Sequence, residues 1–223
     1  MRHLKLIQSF FNEAQVSFRD LEDESSEGTL GKNNQIYTSL YDYHMNLGGK
    51  RRRENAVGWL APGSQERNFL NVIPYLEEGD KILDFGCGLG DFSSFITKYL
   101  SSFDYVGVDI NPKFIKNAKK GHSQFEFYHI ETPQEITENF DKIVAIGVFT
   151  WFITREDFIR TIEHLYSICT DKLIITCIHT DIARHSWDLT YRGYNEKIFQ
   201  ELFPSMNIEF ERRDRDLVVI FNK

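Results

Sequence analysis

Cysteine is scarce, with only Cys87, Cys169 and Cys177 among 223 residues. The number is odd and no C-x-x-C spacing occurs. Neither a disulfide framework nor a zinc site is expected, no metal is predicted, and the expected compartment is the cytoplasm. No apolar run reaches the roughly 18 residues of a membrane span. The first stretch, MRHLKLIQSFFNEAQVSF, lacks the long apolar core and small-residue cleavage site of a secretory signal. An excess of positive charge is also missing. The formal net charge is −7, so the chain as a whole offers no polycationic surface for nucleic acid, and DNA is not an expected partner. Internal repeats and low-complexity tracts are absent.

What is present reads as an ordered chain with 41% hydrophobic residues. Leu4, Ile7, Phe10, Phe11, Ala14 and Phe18 recur at helical spacing. The acidic linker EDESSEGTLGKNN follows, then a second helical candidate, IYTSLYDYHMNL, stopped by Gly48 and Gly49. Ser64 is expected to cap a helix over Gln65 to Leu76, which sets a boundary between an N-terminal helical segment, 1–64, and a larger domain, 65–223. From Gly79 onward the runs KILDF, YVGVDI, FEFYHI, KIVAIGVF and KLIITCI alternate with helical stretches over Asp91 to Leu100, Pro112 to Lys120 and Glu156 to Ile168. Near-continuous apolar strands separated by helices predict an α/β fold with a parallel sheet and helices on both faces. MNIEFE and DLVVIFNK are joined by RRDR, too short for a crossover, and must form an antiparallel hairpin.

The stretch ILDFGCGLGDF joins the first strand to a helix. Gly86, Gly88 and Gly90 allow a sharp bend and close approach to the backbone amides. A dinucleotide fold would read G-x-G-x-x-G/A, but Asp91 stands at the last of those positions. Asp84 ahead of the turn would repel a pyrophosphate and suits a cationic ligand. Asp109 closes the second strand, where a carboxylate can accept both hydroxyls of an unphosphorylated ribose. Ribose plus a positive group without pyrophosphate describes S-adenosylmethionine (SAM).

ILDFGCGLGDF, YVGVDINPKFIKNAK, FDKIVAIGVF and the terminal hairpin, taken in order, resemble the motifs of class I SAM-dependent methyltransferases. The segment VGWLAPGSQERNFLNVI is similar to a G-W…S-Q…R-F lead-in found in a bacterial group of that family. The resemblance covers Gly79 to Lys223. It implies a Rossmann-like, seven-stranded, mostly parallel sheet with the last strand antiparallel between the fifth and sixth. It also implies residue roles. Gly86, Cys87 and Gly88 would line the methionine moiety and Asp84 would hold its ammonium. Asp109 would take the ribose, with Ile110 against the adenine. Glu131, beside Thr132, would meet the adenine amino group, and Ile146 and Gly147 the methionine end. The product would be S-adenosylhomocysteine.

Methyl transfer needs alignment above all, and a base only where the acceptor keeps a proton. The loops beyond the fourth and fifth strands are the expected place for it. Phe149, Trp151 and Phe152 fit either a pocket wall facing the sulfonium or the core. His179 is the first candidate base and His185 the second, against a structural or substrate-orienting role. Tyr41, Tyr43 and His44 are candidates to contact the acceptor from an N-terminal lid. The run KRRRE is ordinarily a solvated face; the sharper reading sets Arg52, Arg53 or Arg67 against an acidic substrate or the SAM carboxylate. The Asn/Asp-Pro-Pro-aromatic signature of nucleic-acid amino methylation is absent after the fourth strand. The expected activity is therefore methyl transfer to an oxygen or nitrogen of a small molecule. The alternatives are a tRNA or protein methyltransferase and a SAM-binding scaffold without catalysis.

Overall fold

The computed structural model describes residues 57, 59, 62–150, 153–186 and 192–223. Among these, α1 (Ser64–Val72) leads into β1 (Lys81–Phe85), α2 (Asp91–Ile96), β2 (Asp104–Asp109), α3 (Pro112–Gly121) and β3 (Glu126–His129). Then come β4 (Phe140–Ile146), α4 (Arg155–Ser167), β5 (Cys169–Ile178), α5 (Glu196–Leu202), β6 (Asn207–Arg213) and β7 (Asp216–Asn222). The sheet order is β3-β2-β1-β4-β5-β7-β6. β7 runs antiparallel to both neighbours, and every other pairing is parallel. This is the Rossmann-like order expected from the sequence, with the last strand inserted between the fifth and sixth.

Alternation along each strand sends side chains to two faces. Leu83, Phe85, Ile143, Leu173, Ile175, Val219 and Phe221 meet Phe158, Ile162 and Leu165 of α4 and Phe199 of α5. Ile82, Val144, Ile174, Val218 and Ile220 meet Phe69 and Val72 of α1, Phe92 and Phe95 of α2, and Ile115 and Ala118 of α3. Each such side chain contributes about 1.5–3 kcal/mol when buried, so both faces are committed to helices. Local signals agree at α3, α4 and α5, but Ser64 does not cap α1 as expected: it is the first helical residue, and Gly63 is the N-cap. Asn111 caps α3 by accepting from the amides of Lys113 and Phe114, with Pro112 at the first helical position. Thr154 caps α4 through the Asp157 amide, and Asn195 caps α5 through that of Ile198.

Several element limits differ from expectation; β4 and β5, for instance, begin earlier, at Phe140 and Cys169. α1 stops at Val72 because Pro74 has no amide for the helix, and a 3-10 turn, Ile73–Tyr75, follows. α2 ends at Ile96 rather than near Leu100, and the Glu78 carboxylate takes the amides of Ser101 and Ser102. β4 ends at Ile146, because Gly147 turns the backbone to φ 71; Val148–Thr150 is a 3-10 turn and not strand. The short helix α5 had no counterpart in the sequence reading. Between β3 and β4, Pro133–Glu135 makes a 3-10 turn boxed by Thr132 and Glu135.

Candidate functional site

Asp84, Asp109, His129 and Ile146 lie at the carboxyl ends of neighbouring parallel strands β1, β2, β3 and β4, so their following turns share one edge of the sheet. The turn after β1 is built first. Gly86, Gly88 and Gly90 have φ of 80, 56 and 77, a region that side chains disfavour. Their neighbours are as demanding as their angles. A Cβ on Gly86 would stand 2.5 Å from Val148 Cγ2, and one on Gly90 2.7 Å from the Phe127 ring. The amides of Gly86 and Cys87 both donate to the Val108 carbonyl, at 2.8 and 2.9 Å. The turn is thus clamped to the end of β2.

Asp109 completes the clamp. Its Oδ2 accepts the Gly88 amide at 2.9 Å and its Oδ1 the Asn111 amide at 2.8 Å. Burial pushes its carboxyl up to about 6, against the pull of those two amides. The Ile110 amide pulls the same way, and of a carboxylate's roughly four lone-pair sites these amides leave some acceptor capacity for a ligand. Asp84, 3% exposed, accepts a short hydrogen bond from the Tyr105 hydroxyl. Burial lifts it to about 7, with the Tyr105 bond opposing and Asp109 reinforcing the shift. Among the described residues, no basic side chain bears on Asp84, while His129 draws Asp109 down. A carboxylate buried as Asp84 is suits a ligand that brings its own positive charge. Cys87 is buried beside Gly107, where a Cβ would come within 3.0 Å of its sulfur; burial raises its thiol well above the ordinary range.

Along the neighbouring strand ends, Ile110 is half-buried, and its carbonyl lies 3.1 Å from His129 Nε2. Glu131 is exposed, and Glu135 accepts its amide and that of Thr132. Ile146 is half-buried, and the Gly147 amide donates to Thr176 on β5 at 3.0 Å. The proposed cofactor residues therefore gather at the ends of β1 to β4.

The acceptor-side residues divide. Phe149, 1% exposed, stacks on Phe85 and meets Phe158 edge-on, so it stands in the core. His179 is buried, with Nδ1 accepting the Asp181 amide at 3.2 Å and Nε2 within 3.9 Å of Glu196. His185 Nδ1 lies 2.9 Å from the Gly193 carbonyl. A carbonyl only accepts, so Nδ1 carries the hydrogen and the lone pair is on Nε2. Burial lowers the His185 pKa, which keeps the ring neutral. Tyr41, Tyr43, His44, Trp151 and Phe152 lie outside the described residues, as do Arg52 and Arg53. Arg67 lies on α1, its Nε 3.5 Å from Asp216 Oδ2.

Sequence reasoning missed three residues of this region. Tyr105 read as an ordinary strand aromatic. Arg192 and Tyr194 read only as loop, yet both are buried, and they tie the loop after β5 to the turn after β4. The Tyr194 hydroxyl donates to the Phe149 carbonyl at 2.8 Å, and the Arg192 amide to that of Thr150 at 2.9 Å. Their only signal was large polar side chains near a glycine, Gly193.

The strand order is the one expected from the resemblance to class I SAM-dependent methyltransferases. Residues 83–172 match a family model described as a methyltransferase domain, and this part of the chain is a SAM-dependent methyltransferase domain. SAM is its methyl donor. A juvenile hormone acid O-methyltransferase of Bombyx mori is 27% identical over 121 residues, half of this chain and 43% of that protein. A 23S rRNA (uracil(1939)-C(5))-methyltransferase, RlmD of Shewanella denitrificans, is 24% identical over 70% of this chain. The chain spans only 32% of RlmD's length. The fold is shared with the 1,6-didemethyltoxoflavin-N1-methyltransferase of Burkholderia thailandensis. That match has a TM-score of 0.64 and 14% identity over 90% of this chain and 92% of that one. Among the described residues, no helix is long and apolar enough to cross a membrane.

Proposed function

We propose that the chain transfers a methyl group from SAM to an oxygen or nitrogen of a small-molecule acceptor. When bound, SAM supplies a methyl on a positively charged sulfur, already activated for displacement. The protein's own residues then bind and orient. Asp109 accepts the ribose hydroxyls through the acceptor capacity that its backbone amides leave. Asp84 receives the ammonium of the methionine end. Gly86, Cys87 and Gly88 leave that end room, with Ile146 and Gly147 opposite. Ile110 lies against the adenine, and Glu131, next to Thr132, meets its amino group.

The observation that carries the small-molecule reading is the tie made by Arg192 and Tyr194. It draws the loop after β5 onto the turn after β4, on the side where the acceptor must lie. A walled acceptor side suits a small molecule better than a polymer, which needs an open groove. The net charge of −7 favours the same choice. Where the acceptor keeps a proton, His185 is the better base, being neutral with its lone pair on Nε2. His179 organises the loop. Tyr41, Tyr43, His44 and Trp151 remain candidates to contact the acceptor.

The test is methyl transfer from SAM labelled in its methyl group into separate metabolite, RNA and protein fractions. Label is expected in the metabolites. Label in RNA or protein would replace the small molecule with a macromolecule. Binding of SAM without transfer to any fraction would indicate a scaffold.

A further inference from the structure

We propose that Tyr105 is a positioning residue for the methyl donor: its hydroxyl fixes the buried Asp84 carboxylate as the anion that receives the donor's ammonium, and this couples donor binding to release of a proton. The inference rests on the assignment of Asp84 to the ammonium.

The register of the sheet places the pair. Ile82 lies opposite Tyr105 and Asp84 opposite Gly107, so the Tyr105 and Asp84 side chains share one face, diagonally across β1 and β2. Gly107 puts no side chain between them. The Tyr105 ring meets Phe125 and Phe127 edge-on, at 5.4 and 5.9 Å between centroids. So held, and only 5% exposed, the ring has one direction for its hydroxyl, onto Asp84 Oδ2. Burial and the neighbouring acids raise the phenol well above its ordinary range, so it remains a donor at every pH of interest.

Among the described residues, the groups that bear on Asp84 and its hydroxyl partner are acids, a thiol and a phenol. Tyr105 and Asp109 come from β2, Cys87 from the glycine turn, and Asp91 from α2, where His122 pairs with it at 3.6 Å. β4 presents Val144 opposite Asp84. With no cation among the described residues bearing on it, and its carboxyl near 7, Asp84 is shared between protonated and charged forms at neutral pH. An ammonium binds the charged form. Occupation by the donor therefore sends the Asp84 proton to solvent, and the Tyr105 bond sets how readily it leaves.

The test is calorimetric titration of the full chain with SAM between pH 6 and 9, using wild type, Tyr105→Phe and Asp84→Asn. Titration of the ligand's own amine is common to all and cancels in the ratio of affinities. Without its hydroxyl partner Asp84 holds its proton more tightly. Tyr105→Phe is expected to bind roughly tenfold more weakly at pH 6, with the deficit closing towards pH 9, where both carboxyls are ionised. A deficit equal at every pH would mark Tyr105 as structural only and overturn the inference, as would superimposed curves. Asp84→Asn separates the two readings. If it binds SAM as wild type does, the Asp84 assignment fails. If it binds poorly while Tyr105→Phe follows wild type, only the role of Tyr105 fails.

Discussion

Asp84 and Asp109, the residues proposed to hold the cofactor, are both costly to the fold because they are buried. Their folded carboxyls stand near 7 and 6, against about 3.9 for a free aspartate. A raised carboxyl binds its proton better folded than unfolded. Its contribution to stability is complete below about pH 4 and is lost as pH rises through 6 to 7. Asp84→Asn, whose amide oxygen still accepts from Tyr105, is expected to be more stable than wild type at pH 7.5 by on the order of 2 kcal/mol. The advantage should vanish near pH 4; urea denaturation at both values measures it. Such an exchange of stability for a charged site is common where function demands it. The two histidines should separate by readout. His185→Ala is expected to lower turnover about 100-fold while leaving SAM affinity unchanged. His179→Ala removes the acceptor of the Asp181 amide and should lower the melting temperature instead. Equal turnover in His185→Ala and wild type would remove the base.

At the scale of the element, the glycine turn does two jobs, and only one was legible. The sequence marked a junction that needs positive φ, and the turn has it. It did not reveal that the missing side chains at Gly86 and Gly90 make room for Val148 and Phe127. Those contacts bring together residues far apart in the chain, and no local pattern encodes them. Gly90→Ala should therefore destabilise by about 3 kcal/mol, combining left-handed backbone strain with a clash against a buried ring. Thermal melting would detect it, and an unchanged melting temperature would mean that Phe127 yields. The central strands were read closely because they are apolar on both faces. The helices were read less well at their ends, where Pro74 and Gly147 decide. α5 spans only Glu196–Leu202, too short for periodicity to stand out, although Asn195 was a visible cap. The Tyr105–Asp84 bond was illegible for another reason: which residues of two strands meet depends on register, and register is fixed by the whole sheet.

For the whole molecule, the order of motifs along the chain was enough to indicate the methyl donor. The acceptor was not legible, because the loops beyond β4 and β5 are tied by residues such as Arg192 and Tyr194 only in the fold. Relatives of this fold include proteins named for a small hormone acid and for ribosomal RNA, so likeness alone does not choose between them. The donor site is the part on which every other assignment stands. Its most direct test is calorimetric titration of SAM into the full chain and into Asp109→Asn, which keeps an acceptor for one backbone amide. One equivalent of SAM is expected to bind wild type, with affinity falling about 30-fold in the variant as charged acceptors for the ribose are lost. Equal affinities in the two proteins would contradict the placement of the donor at the end of β2.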